Sequence, residues 1–117
     1  MPDMPTRKEL IARYKQQRPE AGVYRIVNAR AGKALLGSSV NLPSVRNKLQ
    51  FARSTGSTGT LDHCLREDFL RDGADAFSVE VLDVLAIEPE MTDQQIADDL
   101  AALEQLWRER LDPATLY

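Results

Sequence analysis

Three short hydrophobic segments of the chain predict β-strands, and in the third of them hydrophobic and polar positions alternate strictly. The segments are residues 22–27, 34–37 and 77–84, and β-branched and aromatic residues dominate the first and the third. Between the first two lies a turn-forming stretch in which Gly32 can adopt a positive φ. We therefore expect residues 22–37 to form an antiparallel hairpin, to which the third strand is added.

Apolar positions three or four residues apart predict helices in the rest of the chain. These helices cover about residues 6–19, 43–53, 61–71 and 93–111. Capping boxes at Thr6 and Thr92 mark the starts of the first and last helices. The order α-β-β-α-α-β-α predicts an α+β domain, in which helices flank a small three-stranded antiparallel sheet. We assign residues 1–19 to an N-terminal helical extension and residues 20–117 to the folded domain.

The composition is that of one globular domain. The chain has 117 residues, of which 43% are hydrophobic and 28% are charged, so it is too apolar to be disordered. It contains no apolar run long enough to span a bilayer and no apolar segment typical of a secretory signal. A single cysteine and a single histidine exclude an internal disulfide and a Cys-rich zinc site. We therefore expect a cytoplasmic protein with no membrane partner.

Charge is distributed unevenly along the chain. Residues 1–58 contain eleven Lys and Arg against three acids, a net +8, whereas residues 59–117 contain four against fifteen, a net −11. Arg46, Gln50 and Arg53 recur at helical spacing and predict a basic helix face. Two interpretations stay open: the basic half binds an anionic partner such as nucleic acid, or the two halves neutralise each other within one fold.

One carboxylate in the last predicted helix occupies an unusual position. The apolar stripe of this helix, which must face the core, comprises Ile96, Leu100, Leu103, Trp107 and Leu111. Glu104 lies beside this stripe, about 40° from Leu100 on a helix that turns about 100° per residue. A carboxylate there must reach solvent, pair with a cation or bind a metal. An arginine partner and a metal both stay open as its role.

Several short motifs occur in an order that resembles the GIY-YIG nuclease superfamily. Gly22-Val23-Tyr24 matches the GIY element, and Leu35-Leu36-Gly37 stands where YIG is expected, after a gap of ten residues. Later parts of the chain also resemble elements of the family. They are Asn41-Leu42, Asp72-Gly73 before the strand at 77–82, Glu104 with Trp107 and Leu111-Asp112-Pro113, and Tyr117. The resemblance covers residues 20–117, and it implies a GIY-YIG-like domain over this range.

The resemblance implies a DNA endonuclease that uses one divalent metal, Mg²⁺ or Mn²⁺. In the family, tyrosines of both hairpin motifs, an arginine on the following helix and a distant glutamate form the site. Tyr24 and Glu104 carry over to this chain, with Glu104 as the metal ligand. Leu35 replaces the second tyrosine, and Val45 stands at the arginine position. Arg46 comes one residue later and is therefore rotated by about 100° around the helix.

These departures predict an outlying, partly degenerate member of the superfamily. We expect a domain that acts on or binds DNA, in preference to RNA, with weak or lost endonuclease activity. The candidate catalytic residues are Tyr24, Arg46 and Glu104, and the candidate nucleic-acid-binding residues are Arg25, Arg30, Lys33, Arg46, Gln50 and Arg53. The alternative is a non-catalytic protein-interaction module that uses its basic face.

Two adjacent residues, His63 and Cys64, have less specific interpretations. His63 suits a surface or helix-packing histidine, and a role in metal binding is the alternative. Cys64 is interpreted as a small buried hydrophobic residue.

Overall fold

The structure is a computed structural model, and it describes residues 6–9 and 18–117. Its main elements are β1 (Gly22–Asn28), β2 (Lys33–Ser39), α1 (Leu42–Thr55), α2 (His63–Asp72), β3 (Phe77–Val84) and α3 (Asp93–Arg110). Short 3₁₀ turns follow α2 and α3, at Ala74–Ala76 and Pro113–Thr115. The predicted α+β fold class, with helices flanking a three-stranded antiparallel sheet, is confirmed. None of the described helices has the length and apolar character needed to cross a bilayer.

The predicted N-terminal helix falls mostly outside the described residues. Arg7 to Glu9 are helical, and the backbone amide of Glu9 donates to the Thr6 hydroxyl at 3.2 Å. This is one of the two hydrogen bonds expected of the capping box at Thr6. The apolar stripe that was expected to follow it lies outside the described residues, so the extension over residues 1–19 stays a prediction.

The central strand of the sheet is β1, which pairs antiparallel with both β2 and β3. The hairpin predicted over residues 22–37 is formed, and its turn is closed by a 3.0 Å hydrogen bond from the Gly32 amide to the Asn28 carbonyl. Gly32 has a φ of 67°, which residues with a Cβ rarely adopt. On the other side of β1, a register shift between Val23 and Tyr24 marks a β-bulge against β3.

Side-chain caps fix where the helices start. The Asn41 side chain accepts from the Ser44 amide at the start of α1, which also has a proline in its first turn. The Asp62 carboxylate caps α2, so this helix begins at His63, two residues later than expected. At Thr92 both hydrogen bonds of the predicted capping box are present.

The core is built from two clusters of buried side chains. The larger one joins the sheet to α1 and α2 and comprises Ile26, Val45, Leu49, Ala52, Leu61, Leu65, Phe69, Ala76 and Phe77. The smaller one joins α3 to the segments flanking the sheet and comprises Ala21, Ile87, Ile96 and Leu100. Burial of each large aliphatic or aromatic side chain contributes about 1.5–3 kcal/mol. Trp107, expected in the core stripe of α3, is only half-buried.

A buried polar residue at the end of β1 ties the hairpin to α2 and to the last residue. The Asn28 side-chain amide donates to Asp72 at 2.8 Å and to the Tyr117 hydroxyl at 3.0 Å. The Tyr117 hydroxyl in turn donates to Asp68 at 2.5 Å. Burial, and then the contact with Asp68, raise the pKa of Tyr117 above its ordinary value. Because Asn28 is fully buried, these partners are what make its burial tolerable.

Gly22 provides a direct test of the sheet geometry. A Cβ at this position would overlap the backbone carbonyl of Asp83 beside the bulge, and backbone atoms cannot move aside cheaply. We expect Gly22→Ala to lower the free energy of unfolding by about 1–3 kcal/mol, measured by urea denaturation. Gly59→Ala is the matched control, because the nearest atom to its new Cβ is 3.8 Å away. Equal stability of the two variants would contradict the register.

Candidate active site and basic groove

Tyr24 lies in a cleft of about 280 Å³ between the hairpin, the start of α1 and the loop before α2. The residues lining this cleft are Tyr24, Ile26, Leu35, Val45, Lys48, Thr60, Leu61 and Asp62. They come from four separate stretches of the chain that the fold brings together. We call this space the Tyr24 cleft.

Gly37 makes room for the side chain of Tyr24. The two residues are register partners in the hairpin. A Cβ at Gly37 would lie 2.7 Å from the Tyr24 hydroxyl and 2.8 Å from its Cζ atom. The phenol ring therefore lies across the backbone of β2 at Gly37, and any larger residue would push it away. The tyrosine of the first motif and the glycine of the second therefore fit together at this point of the hairpin.

Two carboxylates act on the Tyr24 hydroxyl. Burial raises the pKa of Tyr24 most, and the negative charges of Glu104 and Asp62 raise this pKa further. Tyr24 is therefore a neutral phenol at physiological pH, able to donate a hydrogen bond. Both carboxylates are within electrostatic range of its hydroxyl, although Asp62 caps α2 and Glu104 lies within α3. Glu104 thus acts electrostatically on Tyr24, although it is not among the residues that line the Tyr24 cleft.

Glu104 is half-buried on α3, with 29% of its side chain exposed. Its carboxylate accepts from Arg108, one helical turn later, at 3.4 Å. The expected arginine partner is therefore present, but the contact is long and open to solvent, and such pairs contribute little. A hydrogen bond of 3.2 Å from the Trp107 ring nitrogen to Asp83 holds this part of α3 against β3.

The two positions where the chain departs from the family both line the Tyr24 cleft. Leu35 and Val45 each present an apolar side chain to it. Because α1 begins at Leu42 and buries Val45, the arginine that follows Val45 does not take its place in the cleft. The structure instead places Arg46 in a different groove, because one residue along a helix is a rotation of about 100°. Arg46 is therefore not brought together with Tyr24.

Sequence reasoning missed three polar residues of the cleft: Lys48, Thr60 and Asp62. Lys48 follows Val45 by three residues and so lies on nearly the same face of α1. That spacing was the signal that could have found it. The Thr60 hydroxyl donates to the Lys48 carbonyl at 3.3 Å, which ties the loop before α2 to α1. Lys48 is thus a cation lining the Tyr24 cleft.

The predicted basic stripe forms one wall of a second groove, of about 300 Å³, between α1 and β3. Its lining residues are Arg46, Asn47, Leu49, Gln50, Arg53, Ser78 and Val79. The Arg53 guanidinium donates to the Phe77 carbonyl and is anchored there. Arg46 has no ion-pair or hydrogen-bond partner within the part of the chain that the structure describes. We call this space the basic groove.

The other predicted nucleic-acid-binding residues lie elsewhere. Arg25 is bound to Glu80 at 2.7 Å and, as the neighbour of Tyr24 on a strand, points to the opposite face of the sheet. Arg30 and Lys33 flank the hairpin turn, where the Lys33 ammonium lies 5.9 Å from the centre of the Tyr117 ring. Strand alternation thus separates Arg25 from Tyr24, and of the six residues only Arg46, Gln50 and Arg53 line the basic groove.

The contacts support in part the interpretation that the two halves of the chain neutralise each other. Arg7 binds Glu88 at 2.7 Å and Arg18 binds Asp93 at 2.9 Å, so basic residues of the first half do neutralise acids of the second. Among the described residues, the arginines of the basic groove form no ion pair with an acid of the second half. The partial neutralisation leaves α1 as a basic element of the surface.

The interpretation of Cys64 as a buried residue was wrong. Cys64 and His63 are both exposed at the first turn of α2. The helix buries Leu65 and Phe69 instead, and residues one and two positions before Leu65 are turned away from that buried face.

Comparison with known proteins identifies the fold. No protein-family model matches the sequence, and no curated protein matches it significantly. Among solved structures, the catalytic domain of homing endonuclease I-TevI is similar, with a TM-score of 0.57 and 19% identity over 83% of this chain and 95% of that one. The chain has a GIY-YIG-like fold. The predicted resemblance is thus confirmed for the fold, and the activity of this GIY-YIG-like domain must be argued from its site.

Proposed function

We propose that this GIY-YIG-like domain binds DNA and has weak or lost metal-dependent phosphodiesterase activity. The observation that carries the proposal is the lining of the Tyr24 cleft. The cleft contains Tyr24, on which the charge of Glu104 acts, but it presents Leu35 and Val45 where the family has a tyrosine and an arginine. The cleft therefore retains part of a hydrolytic site and lacks two of its polar groups.

A divalent metal fits the donor chemistry at Glu104. Mg²⁺ is commonly bound through one or two carboxylates together with substrate phosphate oxygens and water. Glu104 offers a partly exposed carboxylate whose contact with Arg108 is weak enough to be displaced. Glu104 would hold the ion, and a bound Mg²⁺ or Mn²⁺ would supply Lewis-acid stabilisation of phosphate charge.

Residues of the chain itself would position the phosphate and the water and would stabilise negative charge. Tyr24, as a neutral phenol, would donate a hydrogen bond to a phosphate oxygen or orient a water molecule. Lys48 would provide the cation that Val45 does not, but a flexible ammonium is less preorganised than a fixed guanidinium. Loss of the second tyrosine and the arginine together would cost roughly 10³–10⁵ in rate. Weak turnover at most is therefore expected.

Binding of DNA would use both edges of α1. The basic groove lies on one edge with Arg46 and Arg53, and the Tyr24 cleft lies on the other with Lys48. A phosphate backbone crossing α1 would contact the groove while a neighbouring phosphate enters the cleft. Phe51, which is 48% exposed on the same helix, offers an aromatic surface to a base.

A protein-interaction module is the second candidate, favoured by the overall acidity of the chain, with a pI near 5.1. Strong non-specific DNA binding usually needs a basic surplus. In this case α1 would bind an acidic protein through Arg46 and neighbouring cations.

Catalysis is tested by plasmid nicking with Mg²⁺ or Mn²⁺. We expect the wild type to nick weakly or not at all, and any activity to disappear with chelator and in Glu104→Gln, which keeps the side chain's size but removes its charge. Glu109→Gln is the matched control on the exposed side of α3. Robust nicking by the wild type, or nicking that survives Glu104→Gln, would contradict the proposed site.

Binding is tested by titration of a DNA duplex at several salt concentrations. We expect Arg46→Ala to weaken binding and to reduce the slope of log K against log[salt] by about one unit, because one phosphate contact is lost. Arg7→Ala is the matched control, since its partner Glu88 occupies a different part of the surface. If binding is undetectable at low salt, or equally affected by both changes, the protein-interaction module becomes the better account.

A further inference from the structure

Three adjacent residues at the start of α2 group three different metal-binding side chains. One donor atom each from Asp62, His63 and Cys64 lies within 4.8 Å of the other two, and all three residues are exposed. The Cys64 sulfur is 3.9 Å from His63 Nε2, and His63 Nδ1 is 3.6 Å from Asp62 Oδ1. This cluster is separate from Glu104 on α3.

The donor set selects a particular class of cation. Thiolate and imidazole favour borderline d-block ions such as Zn²⁺ and Co²⁺ over Mg²⁺. A tetrahedral zinc ion has bonds of about 2.3 Å to sulfur and about 2.0 Å to nitrogen, so its two ligands stand about 3.5 Å apart. The observed separation of 3.9 Å between the Cys64 sulfur and His63 Nε2 is close to that value. An ion bound to the Cys64 sulfur would therefore use His63 Nε2, while Nδ1 of the same ring lies beside Asp62 Oδ1.

Asp62 can contribute to the cluster without loss of its structural role. Its Oδ1 atom accepts from the Cys64 amide at 3.0 Å as the cap of α2. The same carboxylate is hydrogen-bonded to the Cys64 thiol, whose proton a bound cation would displace. Three protein ligands would leave the fourth tetrahedral position open to water or to an anionic oxygen.

We propose that Asp62, His63 and Cys64 form a binding site for a d-block divalent cation, beside the Tyr24 cleft and distinct from the Glu104 site. Asp62 connects the two places, because it also lines that cleft. A bound cation would cancel negative charge next to Tyr24 and add positive charge where phosphate is proposed to enter. The site goes beyond the proposed hydrolysis and does not depend on it.

The test is a Co²⁺ titration of the reduced, untagged protein, followed by thiolate-to-cobalt charge-transfer absorption. The assignment is unambiguous, because the chain has one cysteine and one histidine. We expect absorption in the wild type, its loss in Cys64→Ser, and binding at least about tenfold weaker in His63→Ala. Glu104→Gln is expected to keep the full signal, so the result is independent of the nuclease assay.

A second measurement uses the wild type alone and therefore does not depend on variants folding. Zn²⁺ is expected to slow the alkylation of Cys64 by iodoacetamide, since a metal-bound thiolate is a poorer nucleophile. Circular dichroism checks that each substituted protein keeps its helices. Absence of charge-transfer absorption at excess Co²⁺, an unchanged signal in His63→Ala, or alkylation that Zn²⁺ does not slow would overturn the proposal.

Discussion

The pairing of β1 with strands on both sides is the interaction on which the rest of the structure depends. It places Tyr24 opposite Gly37 in the hairpin and Gly22 against Asp83 of β3. Each glycine admits a close approach that a Cβ would block, in one case by a phenol and in the other by a carbonyl. The close approach at Gly37 also sets the position of the Tyr24 ring. The pairing of β1 therefore affects both the stability of the sheet and the position of Tyr24.

The elements of the fold follow from local signals in the sequence. The alternation in residues 77–84 and the capping box at Thr92 each act within a few residues, so strands, helices and their order could be predicted. The partners of charged side chains could not be predicted in this way. Arg25 pairs with Glu80 across the sheet, and this contact depends on a register that the bulge shifts. Long-range register has no local signature.

Site residues could be predicted where the residue type is unusual for its position, as for a carboxylate beside an apolar stripe. They could not be predicted where the rotation of a helix decides which side chain faces the cleft. Tyr24 and Glu104 were identified, and the charge of Glu104 acts on the Tyr24 hydroxyl. Arg46 was expected beside them, but it lies in the basic groove, while Lys48 lines the cleft instead. Apolar and basic stripes on α1 differ by about 100°, so a shift of one residue moves a cation from the cleft to the groove. The exposure of Cys64 was missed because a neutral thiol suits both core and surface.

The central claim is that the Tyr24 cleft is a hydrolytic site weakened by two apolar residues. It is tested most directly by restoring both groups in Leu35→Tyr with Val45→Arg and measuring plasmid nicking with Mg²⁺ against the wild type. Leu35 and Val45 both line the cleft, so both new side chains would be introduced at its wall. We predict a gain of at least about tenfold, abolished when Glu104→Gln is added. A folded double variant that binds DNA but shows no gain would contradict the account.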